Sequence, residues 1–161
     1  MIFSGKKRQS DLSNAMQNVL HYLKHNQARF VAELCEFLRF PSVSAQSQHK
    51  DDCRACAEWV ADHCTQIGLD AKVCPTAGHP IVLAKVPSTA ASNGKKRPHF
   101  LVYGHYDVQP PEPLELWHSP PFEARIEGRS LYARGSTDNK GQILAHLKAV
   151  EAYLKTETPL P

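Results

Sequence analysis

The first part of the chain has the hydrophobic spacing of helices. Apolar residues recur near helical spacing along residues 11–39, and Pro41 ends that pattern. We therefore predict one long helix over residues 11–39, followed by a loop, FPSVSAQS. A second helix is predicted over residues 50–67, because acidic side chains open it at the positive end of the helix dipole and Gly68 follows it.

The middle of the chain changes to a pattern typical of strands. Residues 69–74 alternate between apolar and polar side chains, and residues 80–86 are apolar at most positions. Residues 99–104, HFLVYG, are almost continuously apolar, as in a strand that is buried on both faces. We therefore predict three strands here, with residues 99–104 at the centre of a sheet.

The last part of the chain combines a proline-rich loop, a hairpin and a helix. The segments Ala124–Glu127 and Ser130–Arg134 flank a Gly128-Arg129 turn, which predicts a β-hairpin. The loop GSTDNKGQ then leads into a helix with a broad apolar face that ends near Lys155. Helices and strands in this order predict an α/β fold.

Composition and charge narrow the class of protein. The chain has 161 residues, a net charge of +3 and 42% hydrophobic residues, which is typical of one soluble globular domain. The basic residues form no extended cluster of the kind that binds nucleic acid. No apolar run reaches the length of about 20 residues that crosses a membrane, and no secretory signal opens the chain. We expect a cytoplasmic protein whose residues 1–10 form a flexible arm.

The cysteines include a pair with a metal-site or redox spacing. Cys53-x-x-Cys56 resembles half of a zinc site, but the sequence contains no second Cys-x-x-Cys. Cys56, Val60 and Cys64 share one face of the predicted second helix. We therefore interpret these cysteines as reduced, apolar core residues.

A chemically suggestive pair follows the predicted central strand. His105 and Asp107 lie two residues apart, so in a strand their side chains point to the same side. Ligands of open α/β sheets bind at the carboxyl ends of strands. An imidazole can bind a divalent metal while a nearby carboxylate ligates too or orients the ring. A simple hydrogen-bonded His–Asp pair is the alternative at this stage.

A third candidate residue lies at the start of the last predicted helix. Asp138 follows a loop whose glycines, Gly135 and Gly141, permit tight turns and close backbone approach. The helix dipole stabilises an ionised carboxylate there, and such a carboxylate can bridge two cations about 3.5–4 Å apart. The alternative is that Asp138 only caps the helix.

These motifs together resemble a known family. The stretch from VYGHYDVQPPEPLELW to LYARGSTDNKGQ is similar to the cocatalytic zinc hydrolases that include carnosinase, cytosolic nonspecific dipeptidase, aminoacylase and succinyl-diaminopimelate desuccinylase, and is closest to the dipeptidase branch. FLRFPSVSA and AEWVADHCTQIGLDAKV also resemble that family, so the similarity extends from about Phe30. It implies a three-layer α/β/α catalytic domain of the zinc-exopeptidase type. Residues 1–161 would be the N-terminal portion of this domain, without its C-terminal part or the lid or dimerisation domain.

The resemblance also implies roles for the three candidate residues. His105 matches a metal ligand, Asp107 the catalytic acid that orients and polarises this histidine, and Asp138 the carboxylate that bridges two metals. The cofactors would be two divalent ions, zinc or manganese, which activate a water for hydrolysis of the amide bond of a dipeptide or short peptide. The family resemblance leaves open a homodimer of the full-length protein, with neither nucleic acid nor membrane as a partner.

The chain departs from the family pattern in one respect. The family's general base is a glutamate followed directly by a glutamate metal ligand, and Glu151 and Glu157 form no such pair. We therefore expect the chain alone to be inactive. An N-acyl amino acid deacylase of the same family, and a non-catalytic remnant that associates through an open sheet edge, remain alternatives.

Overall fold

The computed structural model describes residues 4–87 and 100–160, with side chains described from residue 14 onward. The predicted polar turn at residues 91–98 lies outside this part. The helices are α1 Ser4–His25, α2 Gln27–Leu38, α3 Lys50–Gln66 and α4 Lys140–Lys155. The strands are β1 Asp70–Cys74, β2 Ile81–Lys85, β3 Arg125–Glu127 and β4 Ser130–Tyr132. None of the helices in the described ranges is both long and apolar enough to traverse a lipid bilayer.

The single helix predicted over residues 11–39 is wrong, because the structure has two helices there. The break falls at Asn26, whose φ of −100° and ψ of 9° leave the helical region. The Asn26 side-chain amide donates to the Tyr22 carbonyl oxygen at 2.8 Å, and asparagine commonly bonds the nearby backbone in this way. Helix α1 already begins at Ser4, so it overlaps the predicted flexible arm, whose flexibility stays a prediction.

The predicted hairpin, the strands predicted over residues 69–74 and 80–86, and the other helices are formed. Strands β1 and β2 pair antiparallel from Asp70 opposite Lys85 to Cys74 opposite Ile81. Strands β3 and β4 pair antiparallel around the predicted glycine turn. Helix α3 ends before Gly68, which has a φ of +104°. The described residues therefore form a mixed helix and strand fold with two separate two-stranded sheets.

The predicted central strand at residues 99–104 is not formed in the described part of this segment. Residues 100–104 have no strand pairing, and their side chains are exposed, with Leu101 at 90% and Tyr103 at 86%. The physical reason is that β1 and β2 pair with each other, and no other described strand lies beside this segment. An apolar run alone does not make a strand when no partner supplies the hydrogen bonds.

The core lies between helices α2 and α3 and the first hairpin. Its buried residues are Phe37, Cys56, Val60, Cys64, Ile67 and Leu69. The rings of Phe37 and Trp59 stack with their centroids 4.8 Å apart. Cys53, Cys56 and Cys64 are buried free thiols, as expected for core residues. Helix α4 packs on this core through Leu147, Val150 and Leu154, which places its first residues next to the segment that carries His105.

Candidate metal centre

The structure brings the three candidate residues together around one imidazole ring. His105 Nδ1 lies 3.1 Å from Asp107 Oδ1 and 3.1 Å from the Asp107 carbonyl oxygen. His105 Nε2, on the other side of the ring, lies 3.0 Å from Asp138 Oδ1. One acidic side chain therefore faces each ring nitrogen, although His105 and Asp138 are 33 residues apart.

Asp138 does not cap helix α4. The residue at the N-cap position is Asn139, and it makes no side-chain capping hydrogen bond. Instead, Asn139 Oδ1 accepts a hydrogen bond of 3.2 Å from the His105 backbone N–H. The Asp138 carboxylate is 78% exposed and faces the histidine, so it is free to bind an ion that approaches from solvent.

Two glycines allow the loop before α4 to take this path. Gly135 has a φ of +83°, and a Cβ atom there would lie 2.6 Å from Val108 Cγ1. At Gly141 a Cβ atom would lie 2.1 Å from the Ser136 carbonyl oxygen. Both positions lack the space that a larger residue needs, so the loop carrying Asp138 folds closely against the segment that follows His105.

The donor atoms fit a divalent metal. Atoms 3.0 Å apart, as His105 Nε2 and Asp138 Oδ1 are, can both reach one cation through bonds of about 2.1 Å. Asp107 lies on the opposite side of the ring, where it can hold Nδ1–H and leave the Nε2 lone pair for a metal. Within the described residues these side chains form no cluster of three converging ligands, so a complete metal centre needs further donors.

A different cluster in the structure does bring three metal-type ligands together. Ligand atoms of Glu33, His63 and Glu151 all lie within 4.8 Å of one another, in a buried site between helices α2, α3 and α4. The ammonium of Lys148 already occupies the centre. Its Nζ atom lies 2.7 Å from His63 Nε2 and 2.8 Å from Glu151 Oε2, and it also pairs with Glu33. This cluster is therefore an internal ion-pair network with its own cation.

Burial and charge shift the titration of this network. Burial lowers the pKa of His63, and the adjacent positive charge of Lys148 lowers it further. Burial raises the pKa of Glu151, but hydrogen bonds from Arg29, Lys148 and Tyr22 outweigh it and hold this pKa below its usual range. The network is thus most stable with a neutral imidazole and an ionised carboxylate.

Sequence reasoning missed the residues that support the candidate centre. Ser44 donates a hydrogen bond to Asp107 Oδ2, and the buried ammonium of Lys140 donates to the Phe37 and Phe40 carbonyl oxygens at 3.1 and 2.7 Å. Burial lowers the pKa of Lys140. The sequence motifs contain both residues, in FPSVSA and in TDNKG, but the spacing gives no sign of partners this distant.

Comparison with known proteins finds a peptidase family that is similar to the last part of the chain. The model of the family described as Peptidase family M20/M25/M40 matches residues 101–161, the segment that carries His105, Asp107 and Asp138. Over these residues the chain is similar to this family. The relatives include a Beta-Ala-His dipeptidase from Rattus norvegicus, which is 29% identical over an alignment of 164 positions that covers 92% of this chain and 32% of the relative.

Two further matches are a relative with a different printed activity and a solved structure. A succinyl-diaminopimelate desuccinylase from Halorhodospira halophila is 33% identical over 119 residues, covering 74% of this chain and 28% of the relative. The crystal structure of human carnosine dipeptidase 1 matches with a TM-score of 0.75 and 27% identity, covering 90% of this chain and 32% of that chain. The chain therefore spans about a third of the length of the relatives it matches.

Proposed function

We propose that this chain carries part of the active site of a metal-dependent hydrolase that cleaves the amide bond of dipeptides or short peptides. The observation that carries the proposal is the position of the His105 ring, with Nδ1 facing Asp107 and Nε2 3.0 Å from Asp138 Oδ1. A metal-binding histidine commonly donates its other ring N–H to a carboxylate or a carbonyl oxygen, and Asp107 offers both to Nδ1 of His105. The match of residues 101–161 to a peptidase family supports the same class of reaction.

The residues have distinct roles in this proposal. His105 and Asp138 would hold the metal ions, His105 through Nε2 and Asp138 through its exposed carboxylate as the ligand that both ions share. Asp107 touches no metal and holds Nδ1–H, so that the ring keeps its orientation. The cofactors are two divalent ions, zinc or manganese, which when bound lower the pKa of a water and polarise the substrate carbonyl. Localisation in the cytoplasm and a homodimer of the full-length protein remain proposals of the same kind.

The proposal includes the lack of a general base in this chain. The base must reach the attacking water, yet Glu151 is buried in ion pairs with Arg29 and Lys148. Glu157 lies just after helix α4 and has no adjacent glutamate. We therefore expect no dipeptide hydrolysis by the purified chain alone.

A second candidate function is removal of an acyl group from an amino acid. The match to a succinyl-diaminopimelate desuccinylase, 33% identical over 119 residues, favours it. Both reactions hydrolyse an amide, so the same His105, Asp107 and Asp138 geometry serves either one. The sequence motif GHYDVQPPEPLELW resembles the dipeptidase branch, and we therefore rank dipeptide hydrolysis first.

Zinc binding by the chain tests the proposed site. Isothermal titration calorimetry with zinc ions alone should detect binding by the unmodified chain, and His105→Ala should remove it. His21 and His25, whose exposed rings lie 6.2 Å apart on α1, form a competing pair with helical zinc spacing. His25→Ala is therefore the matched control and should leave binding unchanged. If zinc binding survives His105→Ala and is lost in His25→Ala, the proposed site is wrong.

A further inference from the structure

The carboxylate of Asp107 is held from both sides. Ser44 Oγ donates to Asp107 Oδ2 at 2.5 Å, and Asp107 Oδ1 lies 3.1 Å from His105 Nδ1. Each oxygen thus has its own partner, so the plane of the carboxylate is fixed relative to the imidazole. Without the hydroxyl, the carboxylate could rotate about its side-chain bonds and turn away from Nδ1.

The loop that carries Ser44 is itself anchored to the segment carrying Asp107. Ser42 is fully buried, and its hydroxyl donates to the Tyr106 carbonyl oxygen at 2.7 Å. The Val108 N–H donates to the Ser42 carbonyl oxygen at 2.9 Å. These bonds involve the residues directly before and after Asp107, and they fix the position of Ser44 beside the Asp107 carboxylate.

Ser44 is also held from a third direction. The His79 ring lies with Nε2 3.0 Å from the Ser44 carbonyl oxygen, which fixes the backbone at this residue. The preceding residue, Val43, is fully buried. The Ser44 hydroxyl does not cap the short 3₁₀ helix Ser47–His49, whose N-cap position is Gln46. The Ser44 hydroxyl instead donates a hydrogen bond to Asp107, which is 63 residues away in the sequence.

We infer that Ser44 is a positioning residue, which fixes the Asp107 carboxylate so that His105 presents Nε2 toward Asp138. This inference rests on the proposed function, because it concerns the same metal centre. Ser44 acts through Asp107 and touches neither metal nor substrate. Loss of a group that bonds a metal ligand directly typically weakens metal binding by about 10- to 100-fold, and Ser44 lies one hydrogen bond further out, so we expect the lower end of this range.

The test compares hydroxyl-bearing and hydroxyl-free residues at position 44. Ser44→Ala should raise the dissociation constant for zinc ions by at least about tenfold in calorimetry. Ser44→Thr keeps the hydroxyl and should retain zinc binding. Ser44→Val has the shape of threonine without the hydroxyl and should bind zinc as weakly as Ser44→Ala. This pair decides the question even if Ser44→Ala folds poorly by circular dichroism. Ser47→Ala removes an exposed hydroxyl three residues further on and should change nothing.

A second readout needs no metal. Nitrogen-15 spectra of the metal-free chain at one fixed pH report which ring nitrogen of His105 carries the proton, and the His105→Gln variant identifies its signals. Ser44→Val should shift these signals, and Ser44→Thr should leave them near their original positions. A residue needed only for folding would lower stability without this difference between threonine and valine.

The outcomes separate the two proposals. If His105→Ala leaves zinc binding intact, the proposed function is wrong, and the nitrogen-15 comparison still decides the role of Ser44. If His105→Ala abolishes binding while Ser44→Val binds zinc as tightly as Ser44→Thr, the role of Ser44 is wrong and the proposed function stands. Identical ring signals in the two variants would likewise overturn the positioning role.

Discussion

The Lys140 ammonium lies 2.7 Å from the Phe40 carbonyl oxygen, and this hydrogen bond joins residues that are 100 positions apart. Lys140 is fully buried and also donates to the Phe37 carbonyl oxygen at 3.1 Å. It is the first residue of α4, two positions after Asp138. The end of α2 and the loop carrying Asp138 are therefore tied together by one side chain.

Replacing Lys140 by methionine should destabilise the chain. Lys140→Met keeps most of the apolar stem but removes the ammonium donor of two carbonyl oxygens. The Phe40 oxygen keeps the Ser42 N–H, so the buried Phe37 oxygen bears the loss, which costs about 1–3 kcal/mol. The free energy of unfolding, measured in urea by circular dichroism, checks this. The control is Lys155→Met, at the exposed end of the same helix, where the change should be within about 0.5 kcal/mol. Equal effects of both substitutions would contradict the assigned role.

Local patterns in the sequence predicted the local elements of this fold. The alternating residues at 69–74 and the mostly apolar residues at 80–86 correspond to β1 and β2, and the glycine turn at residue 128 corresponds to the hairpin of β3 and β4. These elements depend on contacts between neighbours in sequence. The helix break at Asn26 was missed because the apolar spacing continues across it, while a side-chain hydrogen bond to Tyr22 changes the backbone.

The parts of the candidate site that the sequence did not predict depend on contacts between residues far apart in the chain. Spacing placed His105 and Asp107 on one side of a strand, but the strand is not formed in residues 100–104, and the pair meets Asp138 through the Asn139 contact instead. The ion-pair network around Lys148 joins His63 across 85 residues, and no local pattern marks such a cluster. The assignment of metal ligands stays a prediction, since it rests on the resemblance and on geometry.

The neutral His63 ring should make stability depend on pH. Burial and the charge of Lys148 lower the pKa of His63 in the folded chain, whereas a histidine in the unfolded chain has a pKa of about 6.5. As pH falls below that value, the unfolded chain binds the proton first, so the free energy of unfolding decreases. The slope for one proton is at most about 1.4 kcal/mol per pH unit. Stability should therefore be lost between pH values near 6.5 and the lower pKa of the folded state.

A variant isolates this contribution from that of the other histidines. Urea unfolding of the chain and of His63→Gln, measured at several pH values between about 7.5 and 5, gives a difference curve. The variant is expected to be less stable at neutral pH and to lose less stability on acidification. Parallel curves would show that His63 binds its proton equally well in both states. Glu151, whose pKa is lowered, contributes in a separate window below about 4.5.

Cysteine reactivity should follow burial. Burial raises the pKa of the Cys53 and Cys64 thiols to about 11, and it raises that of Cys56 as well. Cys35 and Cys74 are only partly buried. Because the thiolate is the nucleophile, iodoacetamide at pH 7.5 should label Cys35 and Cys74 at least about tenfold faster than the buried thiols.

Peptide mass spectrometry after timed labelling measures these rates. The same reaction in urea, where all five cysteines are exposed to reagent, provides the control and should remove the difference. Rapid labelling of Cys56 in the folded chain would contradict its place in the core. Modification of Cys53 ahead of Cys35 would point instead to a reactive thiol in the Cys-x-x-Cys motif.

The exposed apolar segment at residues 100–103 should cause self-association of the isolated chain. Phe100, Leu101, Val102 and Tyr103 are 80%, 90%, 60% and 86% exposed. They have no strand partner in the described residues, so their backbone groups are free to pair with another chain. Size-exclusion chromatography with light scattering should show species larger than a monomer.

Leu101→Lys should shift the population toward monomer, since a charge opposes such pairing. Leu116→Lys, at an exposed leucine of the proline-rich loop, should have little effect. A monodisperse monomer of the unmodified chain would show that this segment does not drive association.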